Sequence, residues 1–112
     1  MPTFKFGDVV RAPFPYTDRD TRQHRPALVV ASGLGADQRM VWVLMITSAE
    51  NRHWPGDVAI GPDHQACGLP APSLIRTAKI ATVEAHRIER VGSAPPAACR
   101  EVRALLKARL AD

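Results

Sequence analysis

From Met40 to Ile46 the sequence is apolar at every position, reading Met-Val-Trp-Val-Leu-Met-Ile, and this run constrains the fold more than any other segment. An apolar run of this length, bounded by polar residues, reads as a strand, and successive strand side chains point to opposite faces. A half-buried strand would alternate apolar with polar residues. This one does not, so both of its faces need cover. A small barrel covers only one of them. The other must meet a helix of the same chain or a second copy of it.

The flanking segments supply the rest of a sheet. Gly7-Asp8 signals a turn, and Val9 to Phe14 alternates Val10, Ala12 and Phe14 against Val9, Arg11 and Pro13, the period of a half-buried strand. Pro13 and Pro15 place that strand at a sheet edge or bulge. Ala27 to Ala31 is a short apolar run after Arg25-Pro26, Asp57 to Ile60 is a further strand candidate, and Leu74 to Val83 reads as one long bent strand or a pair. The period then changes. Ser93 fits an N-cap with Pro95 and Pro96 near the first turn, and Cys99, Val102, Leu105, Leu106 and Leu110 follow the spacing of one helical face. Short strands followed by one amphipathic helix predict an α+β fold, a small β-barrel or rolled sheet capped by a C-terminal helix.

A length of 112 residues leaves room for a single domain over 1–112, which excludes a cofactor domain beside a substrate domain. No apolar run approaches the roughly 20 residues that span a bilayer. Met1 to Val10 contains Asp8 and no long apolar stretch, so neither membrane insertion nor secretion is signalled and the cytoplasm is the expected location. In that compartment Cys67 and Cys99, which lack C-x-x-C spacing, are expected to remain thiols. The formal charge is +4, and twelve of the fifteen cationic side chains are arginine, whose planar fork pairs bidentately with phosphate. A mild positive charge favours polyanionic partners without identifying one.

Two stretches could carry chemistry. The polar segment from Pro15 to His24 is too charged to pack, and with Arg19, Arg22 and Arg25 it delivers cations to the start of a strand at Pro26. Thr47 and Ser48 emerge where the most apolar run leaves the core. An arginine and a hydroxyl that converge on one phosphate supply charge neutralisation and a hydrogen bond to a non-bridging oxygen. The structural alternative is a solvated flank at Arg25 and a backbone-satisfying hydroxyl at Thr47. His24, His53, His64 and His86 have no metal-ligand spacing, and Asp18 and Asp20 read more simply as ion-pair partners of the loop arginines, so no metal and no cofactor is expected. Tyr16 is the preferred aromatic for stacking on a base, whereas Phe14 fits the core pattern and Trp54, beside Pro55-Gly56, fits a loop anchor.

Taken in order, Gly7-Asp8-Val9-Val10, Pro13-Phe14-Pro15-Tyr16-Thr17-Asp18, His24-Arg25-Pro26-Ala27-Leu28-Val29-Val30 and Ile46-Thr47-Ser48 resemble the MazF/PemK family of toxins from bacterial type II toxin–antitoxin systems. The resemblance implies an SH3-like barrel, a homodimer, metal-independent cleavage of single-stranded RNA at short sequences, and a cognate antitoxin laid over the RNA site. It assigns catalysis to Arg25 and Thr47, and RNA contacts to Tyr16, Arg19, Asp20, Arg22, His24, Ser48 and Arg76. One branch of the family pairs the arginine at position 76 with an acidic residue two positions later, where this chain has Ala78. Two other functions therefore stay open on this scaffold: a module that binds antitoxin or nucleic acid without cutting, and a gyrase-inhibiting toxin. On an extended strand the side chain of His24 would point away from that of Arg25, which makes His24 a loop contact before it is a base.

Overall fold

The computed structural model describes residues 3–13 and 24–111. The apolar run forms the middle of strand β3 (Met40–Ser48), which lies between β2 (His24–Leu34) and β5 (Ser73–Glu84). β1 (Asp8–Pro13), β4 (Asp57–Ile60) and β6 (Glu89–Ser93) complete a six-stranded sheet of order β4-β5-β3-β2-β1-β6, and helix α1 (Pro96–Leu110) follows. Every strand pairing is antiparallel.

Both faces of β3 are covered from within the chain. Val41, Val43 and Met45 join Phe4, Val10, Ala27, Val29, Val83 and Ile88 in one core. Leu44 and Ile46 join Val9, Leu28, Val58, Ile60 and Ile75 in the other, which Ala98 and Val102 of α1 close. Each fully buried aliphatic side chain contributes on the order of 1.5–3 kcal/mol, so the two-sided run anchors the fold. Trp42 is the exception, 42% exposed. The apolar surface left for a second copy is thus a patch around Trp42 rather than a whole face of the strand.

The sheet curls but does not close. Among the described residues no pairing joins the edge strands β4 and β6, so the barrel expected from the sequence is an open roll. Its seam is packed instead of hydrogen bonded. Residues of β4 and α1 share one core with Val91 of β6, and a Cβ added at Gly92 would lie 2.2 Å from the carbonyl oxygen of Cys67, in the segment after β4. Only a glycine admits that approach of two backbones.

Three expectations need correction. β1 is not an edge strand: it pairs with β2 on one side and β6 on the other, with Pro13 as its last residue and a register shift against β6 between Val9 and Val10. Ser93 ends β6 and does not cap the helix, which Pro95 precedes without a side-chain cap. On the helix, Leu110 continues the apolar spacing yet is 82% exposed, at the mouth of a groove it shares with Trp42 and Ile80 of the sheet. The turn at Gly7 is as expected, with φ +97°. The long strand candidate is one strand, β5, interrupted by a register shift. No helix among the described residues is long and apolar enough to cross a membrane.

Candidate active site

The end of β3 becomes polar at Thr47, and the local irregularities of its neighbours gather side chains there. In β5 the register jumps from Leu44↔Ile80 to Met45↔Arg76, so 77–79 bulge out of the ladder. The bulge is tied down by Thr77, whose hydroxyl donates to the carbonyl of Gly56 at 2.8 Å. On the other side, the pairing of β2 with β3 ends at Ala27↔Met45, next to Pro26, which has no N–H to give to a ladder.

Between these features lies a cleft of about 300 Å³ lined by Met45, Thr47, Asn51, Arg52, Arg76 and Lys79. Three of the six are cations and none is a carboxylate. Asn51 donates its side-chain amide to Thr47 Oγ1 at 2.6 Å. Arg76 is 7% exposed, and a guanidinium so deeply placed needs compensation. It has three partners: Nη2 donates to the carbonyl of Arg52, Nε faces Asp57 Oδ2 at 3.8 Å, and the group lies 4.0 Å from the centre of the Trp54 ring. Lys79 approaches the same ring at 5.2 Å. Trp54 is therefore a loop anchor that carries cations on its face.

The residues singled out from the sequence fall into groups. Thr47 and Arg76 share the cleft. Arg25 is exposed and does not line the cleft; it lies one strand across, in β2, two residues before the last β2–β3 pair, Ala27↔Met45, and pairs with Ala12 of β1. Ser48 pairs with Ser73, and its hydroxyl accepts the backbone N–H of Glu50 at 3.2 Å, so it shapes the turn after β3. His24 lines a different depression with Arg11, His86, Arg87, Ile88 and Glu89. Tyr16, Arg19, Asp20 and Arg22 lie outside the described residues, as does Phe14.

Asn51, Arg52, Lys79 and Asp57 were not identified from sequence. Asn51 sits four residues after Thr47 in a turn, which is the one signal that could have pointed to it. Asp57 becomes visible only through the pairing of β4 with β5, which sets it directly opposite Arg76.

The fold and this cleft define a class: an α+β protein built on a rolled antiparallel sheet with a terminal helix, which gathers cations and a hydroxyl at one end of the sheet. The family model for PemK-like, MazF-like toxins of type II toxin–antitoxin systems matches residues 5–110, and the chain belongs to that family. Solved structures agree on the fold. MazF from Deinococcus radiodurans superposes with a TM-score of 0.73 at 19% identity, covering 100% of both chains. An endoribonuclease from a Mycobacterial species, solved with its cognate antitoxin, gives 0.71 at 20% identity over 99% of this chain and 96% of that one. The Mycobacterium tuberculosis toxin MazF-mt6 gives 0.68 at 16% identity, covering 90% and 93%. No curated protein sequence matches the chain.

Proposed function

We propose that this toxin-family chain is a metal-independent endoribonuclease that cuts single-stranded RNA and is restrained by a cognate antitoxin. The observation that carries the reading is the cleft in which Thr47 and Arg76 stand together, one strand away from the start of β2 that bears Arg25. Cleavage of RNA without a metal requires the 2′-hydroxyl to lose its proton to a base, through Thr47, Ser48 or water, as it attacks the adjacent phosphorus. It also requires relief of charge on the non-bridging oxygens and a proton for the departing 5′ oxygen. Arg25 serves the second requirement as an electrostatic clamp, because a guanidinium is a fixed cation with a planar fork of donors. Thr47 adds a hydrogen bond to the same phosphate. His24 lines another depression, so it serves as a contact for flanking nucleotides.

The alternative, a non-cleaving module on the same fold, is distinguished by the cleavage assay below, since Asp57 beside Arg76 is buried and does not line the cleft. The antitoxin enters by analogy with the Mycobacterial endoribonuclease solved with its cognate antitoxin and with the Deinococcus radiodurans MazE–MazF structure, which matches at a TM-score of 0.69. A second copy of the chain seats on the apolar groove of about 660 Å³ that includes Trp42, Ile80, Leu106 and Leu110. The site of action is the cytoplasm, where the RNA is.

The test is incubation of the purified protein with a long single-stranded RNA in excess EDTA, beside Arg25→Ala and Thr47→Ala variants. Wild type should cut and both variants should be severely impaired. Equal cutting by all three, or none by wild type, overturns the reading.

A further inference from the structure

We infer that Asp57 is a positioning residue of the cleft: it holds the Arg76 guanidinium, stacked on Trp54, in the plane from which its outer N–H groups meet a phosphate beside Thr47. This rests on the proposed nuclease reading and adds to it a residue that stands outside the cleft lining.

The geometry separates what Asp57 does for the fold from what it does for Arg76. Oδ2 accepts the backbone N–H of Trp54 at 2.8 Å, and the backbone N–H of Asp57 donates to the Trp54 carbonyl at 3.1 Å, so the residue closes the turn that carries the indole. The same carboxylate oxygen lies 3.8 Å from Arg76 Nε, with both side chains nearly buried at 4% and 8% exposure. That separation is too long for a hydrogen bond, and Nε has no hydrogen-bond partner. The attraction is therefore charge on charge in a poorly solvated place, where it is stronger than at the surface.

Three constraints fix the fork. The indole face sets its plane, the Arg52 carbonyl takes Nη2, and Asp57 draws Nε to the buried side. What remains of the donor set is the edge toward the cleft, and a guanidinium edge matches two oxygens of a phosphodiester. A bidentate clamp works only when its plane is set beforehand, because misplacement by about an ångström loses much of the advantage of orientation. Lys79, held at the same ring, adds charge to that edge.

The variant that isolates this role is Asp57→Asn. Its side-chain carbonyl still accepts the Trp54 N–H, while the charge facing Nε is removed. Asp57→Asn, Arg76→Gln and the double variant are compared with wild type in three measurements: thermal unfolding, cleavage of a mixed-sequence single-stranded RNA in EDTA, and binding of the fully 2′-deoxy strand, which cannot be cut by 2′-hydroxyl attack. Asp57→Asn should weaken binding and slow cleavage by roughly tenfold in the wild-type background and add little to Arg76→Gln, the non-additivity expected of directly coupled residues. A merely structural role would lower the melting temperature and reduce both readouts by the same factor in either background. That result, or wild-type behaviour of Asp57→Asn, overturns the inference. If wild type binds the deoxy strand but leaves RNA intact, the nuclease reading fails while the binding cycle still decides the role of Asp57. If wild type binds neither strand, both fail.

Discussion

Asn51 donates a 2.6 Å hydrogen bond to Thr47 Oγ1 across the turn that follows β3. A hydroxyl that accepts on its oxygen has its own proton left to give, and Thr47 lines the cationic cleft. On the proposed reading, Asn51 leaves the Thr47 hydroxyl proton for a phosphate in the cleft. Thr47→Val, which keeps the shape and removes the hydroxyl, is expected to slow RNA cleavage by roughly 10²- to 10³-fold, the usual cost of one lost donor at a developing negative charge. Thr47→Ser should retain most of the rate. Asn51→Asp should behave like Thr47→Val, because a carboxylate turns the hydroxyl proton toward itself and adds repulsion of phosphate. Single-turnover rates on one RNA decide the order.

The proposed role of Arg25 rests on charge and shape together. Arg25→Lys keeps the charge but loses the planar fork, so binding should fall only a few-fold while cleavage falls roughly 10²-fold. Arg25→Ala should lose both and also reduce the steepness with which RNA binding weakens in rising salt, since one fewer phosphate is neutralised. Binding isotherms across a salt series, beside cleavage rates, measure the two effects separately.

Trp42 and Ile80 are 42% and 51% exposed on one apolar groove, next to Leu110. Clustered apolar surface of this kind marks an interaction face. Trp42→Lys or Ile80→Lys should leave the melting temperature of the isolated chain nearly unchanged, as neither side chain belongs to a core, yet shift the mass in solution from two chains to one. Light scattering at low micromolar concentration reads this directly. A wild type with the mass of one chain would remove the groove as a homodimer contact.

The parts of this molecule legible in its sequence are those written in local pattern. β4 falls at Asp57–Ile60 as read, and the all-apolar run lies within β3. β6 escaped because Glu89-Arg90-Val91-Gly92-Ser93 is short, charged and glycine-bearing, and its pairing with β1 lends it a regularity that its residues do not encode. The site divides in the same way. Thr47 and Arg76 could be picked out one by one, whereas the link from Asp57 to Arg76 exists only in the β4–β5 register. The position of Trp54 under a guanidinium follows from that link and not from any motif.

Both cysteines carry raised pKa values. Burial pushes the Cys67 thiol up from its ordinary 9.0, with Asp63 and Cys99 adding to the shift; burial also raises Cys99, while Arg103 and Arg100 pull it back. The fold thus favours the neutral thiol. The associated stability is fully present below the unfolded value of 9.0 and is lost as pH rises through the higher folded values. Denaturant midpoints should therefore fall more steeply on the alkaline side of 9.0 for wild type than for Cys67→Ala, and alkylation of both thiols should be slow until the chain unfolds. Equal alkaline slopes would show that these thiols do not set the pH response.

The seam of the roll is testable at one position. Gly92 of β6 lies so close to the segment after β4 that an added Cβ would be 2.2 Å from the Cys67 carbonyl oxygen and 2.4 Å from its carbon, and at Gly68 the same construction meets the Val91 oxygen at 2.3 Å. These obstacles are backbone atoms, which cannot rotate away as the tip of a side chain can. Overpacking a core usually costs about 1–3 kcal/mol, and two fixed backbones put Gly92→Ala at or above the top of that range. A closed barrel would hold such a seam with ladder hydrogen bonds and distribute the strain along it. Here no ladder joins the edges β4 and β6 among the described residues, so the same substitution should separate them. The expected result is a fall in the denaturant midpoint at unchanged m-value, together with faster amide exchange in β4 and β6 than in β3. Exchange that accelerates uniformly across all six strands would mean that the seam and the central sheet open as one unit.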